Sequence, residues 1–409
     1  MDLRRPLIGL RDTGTHSVAP KGDTARPSAI ICSHFFTTGP ANELEDFLRP
    51  RTSVLVSVFH PFYFSKLRHS FGTIYLRGNP EKTLAIRTLP KFGLLNYLRD
   101  FAVSLTMPLR LKRRFDLFVG SNPLNAFAGV LLHRLGFARQ VVFYKIDYVP
   151  SRFSNSILNT LYEWIDRKSA IYADWTWNLA EAMVRERRKQ GIASDNQLVV
   201  PVGCHFERIR RPSLTEINRS KLVYMGSLRR GQGIELALDT FPMVLEKLPQ
   251  AQLVIVGSGP LQEMLKGKVK ELGLGQHVSF TGEVPDHQQL EQILTTCGIG
   301  LATYQPLPES YTYFTEPGKV KVYLACGLPV IITGVPEIAE EVKKRGAGMV
   351  VDYNSDNLAA AVMMLARNER SYASARDSAI SFASEFTWES VFTRAFASMS
   401  SNVARFESL

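Results

Sequence analysis

Residues 315–319 read Thr-Glu-Pro-Gly-Lys: a hydroxyl, a carboxylate, a rigid turn, a bare backbone position and a cation in succession. That order suits a helix start that receives an anion. Thr315 is placed to cap free backbone N–H groups, and Pro317 fits the first turn, where its missing N–H costs nothing. Gly318 lets a ligand approach the main chain, and Lys319 adds a full charge to the positive end of the helix dipole. Val320, Tyr323 and Leu324 share one face of the expected helix, Gly327 ends it, and Pro329 cannot continue it. The apolar run 328–332 then predicts a buried strand. This is the chemistry of a phosphate seat. An ordinary capped helix with a surface lysine satisfies the same local pattern.

A second candidate lies in the first half. Asp147 closes the apolar run 140–146, and a carboxylate at the C-terminal end of a parallel strand sits where open α/β sheets bind ligands. The plain alternative is a loop cap for the next helix. Upstream, the run 28–33 leads into His34-Phe-Phe-Thr-Thr-Gly39-Pro40, a strand, a glycine-containing loop and then an amphipathic stretch. One glycine without GxGxxG is a weak ligand-binding turn. Trp164, Asp166, Asp174, Trp175 and Trp177 read as packing and capping, and Arg185, Arg187, Arg188 and Lys189 as a solvated helix end.

The elements that would position these groups alternate. Strands are expected at 28–33, 54–59, 115–119 and 140–146, with an apolar helix at 126–135. After a polar stretch at 207–220, the order repeats more regularly, with strands at 222–225, 252–256, 277–281 and 298–302 and helices at 234–248 and 287–296. The glycine loops 226–233 and 257–260 follow consecutive strands and face one crevice. The fold class is α/β, two doubly wound Rossmann-like domains. The division is a tail at 1–27, an N-terminal domain at 28–206, a linker at 207–220, a C-terminal domain at 221–385, and a last helix at 386–409 returning to the N-terminal domain.

The 409 residues, 45% hydrophobic and 21% charged, are globular in composition. The sequence shows neither a run long enough to span a bilayer nor a secretion signal, and Cys32, Cys204, Cys297 and Cys326 lack metal spacing. The expectation is a cytoplasmic protein with reduced thiols. Residues 1–211 hold 31 Lys and Arg against 17 Asp and Glu, a net of +14; the remainder holds 18 against 21, a net of −3. Without zinc-finger spacing or an RNA-binding aromatic signature, no nucleic-acid partner is expected. Residues 94–114 mix Leu, Tyr, Phe and Met with Arg110, Lys112, Arg113 and Arg114, which suits an anionic membrane surface or, equally, a packed helix with a solvated basic end.

The blocks LVYMGSL…GQGIELAL, AQLVIVGSGP, HVSFTGEVP and PGKVKVYLACGLPVI, in this order, resemble the donor-binding half of family 4-type glycosyltransferases with the GT-B fold. The resemblance is close over residues 219–395 and reaches 28–205 only in layout. It implies a nucleotide-diphosphate-sugar held by the C-terminal domain. By position, Gly226 and Ser227 lie near the diphosphate, the lysine expected where Gln232 stands is either missing or replaced by Arg230, Val284 meets the base edge, and Gly318 and Lys319 seat the diphosphate. Gly39 lies in the facing loop of the first domain.

Two glutamates that many members carry fall here on Phe314 and Val322. Glu316 is near but out of register; with Asp147 it is carried as a candidate catalytic carboxylate. No Asp-x-Asp occurs, so no metal or other cofactor is expected. The implied activity is sugar transfer, with retention, to a cell-envelope glycan or lipid-linked acceptor. A nucleotide-sugar epimerase and a catalytically silent nucleotide-sugar-binding protein are the alternatives.

Overall fold

The computed structural model describes residues 26–35, 39–62, 69–87, 93–149, 152–192, 195–308 and 311–399. The first sheet is built from β1 (Ser28–Phe35), β2 (Val54–Pro61), β3 (His69–Leu76), β4 (Asn79–Arg87), β5 (Phe115–Gly120), β6 (Ala138–Lys145), β7 (Trp175–Asn178) and β8 (Gln197–Val199). Their order is β4-β3-β2-β1-β5-β6-β7-β8. Helices α1 (Pro40–Leu48), α2 (Gly93–Arg110), α3 (Pro123–Arg134), α4 (Ser156–Tyr172) and α5 (Glu181–Lys189) connect them. The central strands are parallel and buried on both faces, which is why 29–32 and 141–144 read as unbroken apolar runs.

The antiparallel pair β3–β4 was not expected from the sequence. It turns at Arg77 and Gly78, both at positive φ, and β4 is exposed along most of its length, so no apolar alternation marks it. Helix α3 begins three residues before its expected start. Asn122 caps it by accepting from Asn125 N at 3.0 Å, and Pro123 occupies its first position.

The second sheet contains β9 (Lys221–Met225), β10 (Gln252–Val256), β11 (Val278–Gly282), β12 (Ile299–Ala302), β13 (Val330–Thr333) and β14 (Gly348–Val351), all parallel, in the order β11-β10-β9-β12-β13-β14. Helices α6 (Ile234–Lys247), α7 (Gln262–Glu271), α8 (His287–Thr295), α9 (Gly318–Ala325), α10 (Ile338–Arg345), α11 (Ser355–Arg367) and α12 (Glu369–Ser384) pack on its two faces. Chain order reverses between β9 and β12, so the loops leaving them diverge and open a crevice. In the first sheet the same reversal falls between β1 and β5.

The last helix, α13 (Trp388–Ser398), leaves the second domain and packs into the first. Phe396 stacks on Phe47 at 5.8 Å, and Phe392 lies edge-on to Tyr144 at 6.5 Å. Each such buried ring stabilises this return by roughly 1.5–3 kcal/mol. The stretch 207–220 is fixed to the second domain: Arg208 pairs with Glu291 through two bonds of 2.8 and 2.7 Å, and Arg211 Nε donates to Ala325 O at 2.6 Å. The four cysteines are free and buried.

Candidate functional site: a lysine in a tyrosine box

The crevice of the second domain is shaped by close approaches that only glycine permits. Gly233 has φ +77°, and a Cβ there would stand 1.4 Å from Thr303 O; the Thr303 hydroxyl donates to Gly233 O at 2.6 Å. The β9–α6 loop is thereby pinned to the end of β12. Gly226 has φ +145°, and a Cβ there would lie 2.8 Å from Lys319 Nζ. Helix α9 is held from below by Tyr323, whose hydroxyl accepts from Met225 N at 2.5 Å and donates to Leu301 O at 3.3 Å.

These contacts place Lys319 over the faces of two buried tyrosines, 4.6 Å from the Tyr224 ring centre and 4.8 Å from that of Tyr304. Its Nζ donates to Gln232 Oε1 at 3.5 Å, and Gln232 Nε2 donates to the Tyr311 hydroxyl at 2.9 Å. Arg229 donates to the same hydroxyl and lies over the Tyr311 ring at 5.1 Å. Among the described residues no carboxylate pairs with Lys319. Burial first, and the Arg229 charge second, pull its ammonium down to about 7. Ring faces favour a cation but do not neutralise it. The side chain keeps a partly open side, so an anion can supply the missing charge.

The helix start differs from expectation in one respect. Thr315 does not cap α9: its hydroxyl donates to Thr312 O at 3.3 Å, and Pro317 is the N-cap, with no side-chain bond. The hydroxyl bonds back into its own loop instead. Among the described residues, no side chain therefore caps the first N–H groups of α9, beside Lys319.

The other candidates are distributed as follows. Gly226 and Ser227 line the β9–α6 loop beside Lys319, with Ser227 exposed. Arg230 is exposed, and the cation joined to the Lys319 network is its neighbour Arg229. Val284 is partly buried against the second domain's core. Gly39 precedes α1 in the first domain, its N–H donating to Asn42 Oδ1 at 3.1 Å; residues 36–38 of its loop lie outside the described residues. Asp147 pairs with Arg152 at 2.9 Å, after the end of β6. Glu316 is engaged by Lys321 at 2.9 Å, with Lys321 itself 3.0 Å from the Phe386 ring centre. Burial raises Glu316 and lowers Lys321, and each opposes the other's shift. Both carboxylates thus carry a basic partner, and neither joins the Lys319 network.

Phe314 packs on Tyr148 of the first domain at 5.0 Å, and Val322 packs into the second domain's core. A further link joins the domains at Glu337, which accepts from Ala182 N at 2.7 Å and pairs with Arg185. Arg187, expected to be solvated, is buried with Lys145 around Asp166, at 3.1 and 2.5 Å. Asp174 accepts from Val141 N at 2.7 Å, and Trp164 is half exposed rather than packed. At the end of β1, His34 and His60 flank Asp100 at 3.2 and 3.3 Å. Burial alone would raise that carboxyl, but hydrogen bonds from the two imidazoles outweigh it and hold Asp100 well below the usual range.

Two Rossmann-like domains of this topology make the GT-B fold. Solved structures share the fold: sucrose-phosphate synthase from Thermosynechococcus elongatus has a TM-score of 0.67 and 16% identity, covering 90% of this chain and 97% of that one. Anabaena Alr3699/HepE in complex with UDP has a TM-score of 0.65 and 16% identity, covering 90% and 98%. Residues 205–382 match the family model described as Glycosyl transferases group 1. A GDP-mannose-dependent alpha-(1-6)-phosphatidylinositol monomannoside mannosyltransferase from Mycobacterium tuberculosis is 27% identical over 248 residues, 58% of this chain and 54% of the relative. The chain thus spans about half the length of the curated relatives it matches. Among the described residues, no helix is long and apolar enough to cross a membrane.

Proposed function

We propose that this protein is a hexosyltransferase that takes a sugar from a nucleotide-diphosphate-sugar donor and delivers it to a cell-envelope glycan or lipid-linked acceptor. The observation that carries the reading is Lys319, a cation beside a glycine turn and the uncapped start of α9, without a carboxylate among the described residues. Such a group meets the two phosphates of a donor and the charge that grows on them as the glycosidic bond breaks. Arg229, held by Tyr311, stands as the second cation. The lipid-linked acceptor is supported by relatives named for mannosyl transfer to phosphatidylinositol mannosides.

Transfer on this reading proceeds with retention and without a metal, the leaving diphosphate being stabilised by Lys319, Arg229 and helix N–H groups. Turnover should survive excess chelator; complete loss, restored by a divalent ion, would overturn the metal-free part. The test of the seat is a thermal-shift panel of UDP, GDP and ADP on wild type and Lys319→Ala. Wild type should be stabilised by one base, since a ligand that binds only the folded chain raises its midpoint. The variant should bind roughly 10- to 150-fold more weakly, the equivalent of a charged hydrogen bond worth roughly 1.5–3 kcal/mol. Equal binding by both would refute the assignment.

Phe314 and Val322, where the resemblance expects acids, favour one second reading, a silent nucleotide-sugar-binding protein. Release of nucleoside diphosphate that depends on an acceptor separates the two.

A further inference from the structure

Helices α2, α3 and α4 cover one face of the first sheet, opposite α1 and α13. Amphipathic helices of a globular domain turn their apolar side inward. Here α2 and α4 do the reverse along part of their length. The inward residues of α4 include Asp166, Ser169 and Ala170, whereas Ile157, Leu161, Trp164 and Ile171 form a stripe at helical spacing on the outside. Ile157 is 76% exposed and Trp164 49%. Helix α2 buries Asn96, Asp100 and Ser104 and turns Leu95, Leu98 and Leu109 outward, with Leu98 56% exposed. The polar interior accounts for the inversion, since His34 and His60 engage Asp100 and Lys145 and Arg187 engage Asp166.

The two stripes are continuous. Phe101 of α2 stacks on Phe127 of α3 at 6.3 Å, and Phe127 meets Trp164 of α4 edge-on at 5.9 Å. The three helices precede the parallel strands β5, β6 and β7, so their C-terminal ends lie together. Cations gather there: Arg110 at the end of α2 with Lys112 and Arg114 after it, Arg134 over the Tyr172 ring at 4.5 Å, and Lys168 over the same ring at 5.6 Å. Glu163 is the one exposed carboxylate on these helices.

We infer that the α2–α3–α4 face is a docking surface for a bilayer containing anionic lipid, with the leucine, isoleucine and tryptophan side chains entering the interface and the cations meeting head groups. Charge selects this occupant: two copies of the chain would bring rims of the same sign together, whereas acidic head groups are complementary. The surface extends the basic stretch 110–114 to α4, which reads as ordinary packing in the sequence. The helices' N-terminal ends lie at the cleft side of the sheet, so the cationic rim at their C-terminal ends lies away from the cleft. The inference stands apart from the transfer reading, because vesicle binding needs neither donor nor acceptor.

The experiment is vesicle flotation with the full chain at low salt, using phosphatidylcholine alone and phosphatidylcholine with phosphatidylglycerol. Wild type should float with the acidic vesicles and stay behind with the neutral ones. Changing Arg110, Lys112 and Arg114 to Ser should lower partitioning on the order of 100-fold. Ile157→Glu with Leu161→Glu should abolish it while leaving the thermal midpoint unchanged. Lipids brominated in the chains should quench tryptophan emission in wild type but not in Trp164→Phe, which still floats. The inference is overturned if wild type ignores acidic vesicles, if it floats without quenching, or if the glutamate pair instead dissociates a dimer.

Discussion

The two domains bury cations in opposite ways. In the first, Lys145 and Arg187 share Asp166 at 2.5 and 3.1 Å. In the second, Lys319 sits against two tyrosine faces and a glutamine oxygen. Two residues further along α9, Lys321 returns to the first pattern with Glu316. A buried cation with its own acid is complete and holds structure; one lacking an acid leaves its charge to a ligand. The contrast separates the structural charges of this protein from the one proposed to work.

The largest effect should come from breaking the completed set. Asp166→Ala leaves Lys145 and Arg187 without their shared acid and should cost about 3–5 kcal/mol, read by urea unfolding. Nucleotide binding at the other domain should be unchanged wherever the variant is folded. By contrast, Lys319→Met should hold or raise stability, since it removes a desolvated charge, while weakening nucleoside diphosphate binding as Lys319→Ala does.

A pH series sharpens the same contrast. Burial holds Lys319 at about 7, below the ordinary lysine value of 10.5. Between these values the unfolded chain carries a proton the folded one lacks, so the Lys319 contribution to stability rises with pH through that window. Its penalty is fully present below about 7. Lys319→Met should flatten this part of the profile. Bound diphosphate favours the ammonium, so binding at pH 8 should take up a proton, measured by calorimetry in buffers of different ionisation heat.

The smallest effect distinguishes two neighbouring arginines. Arg229→Ala should weaken nucleotide binding by roughly 2- to 5-fold, the scale of an exposed ion pair of up to about 1 kcal/mol. Arg230→Ala should leave it unchanged. The reverse order would show that the Tyr311 link does not place the working cation.

The second domain was legible because its strands are short, buried and separated by glycine turns. The α9 start was legible because Pro317, Gly318 and Lys319 are contiguous. What escaped depends on contacts between distant residues. Tyr224 and Tyr304 lie 80 positions apart and meet at Lys319 only through the fold. Tyr311 selects Arg229 over Arg230, which local sequence cannot rank. Thr315 has a capping residue's type, but its hydroxyl bonds back to Thr312 O. In the first domain, Asp166 read as packing or capping and Arg187 as a solvated helix end, because the cluster they form with Lys145 joins residues remote in sequence. The hairpin β3–β4 is edge structure with few buried side chains, so it left no pattern to read.

The central claim is that Lys319 is reserved for the donor diphosphate. Isothermal titration of the preferred nucleoside diphosphate and of its nucleoside, into wild type and Lys319→Met at pH 6.5, tests it most directly. The account predicts that the variant loses roughly 10- to 150-fold in diphosphate affinity and nothing in nucleoside affinity. Equal losses for both ligands, or none for the diphosphate, would contradict it.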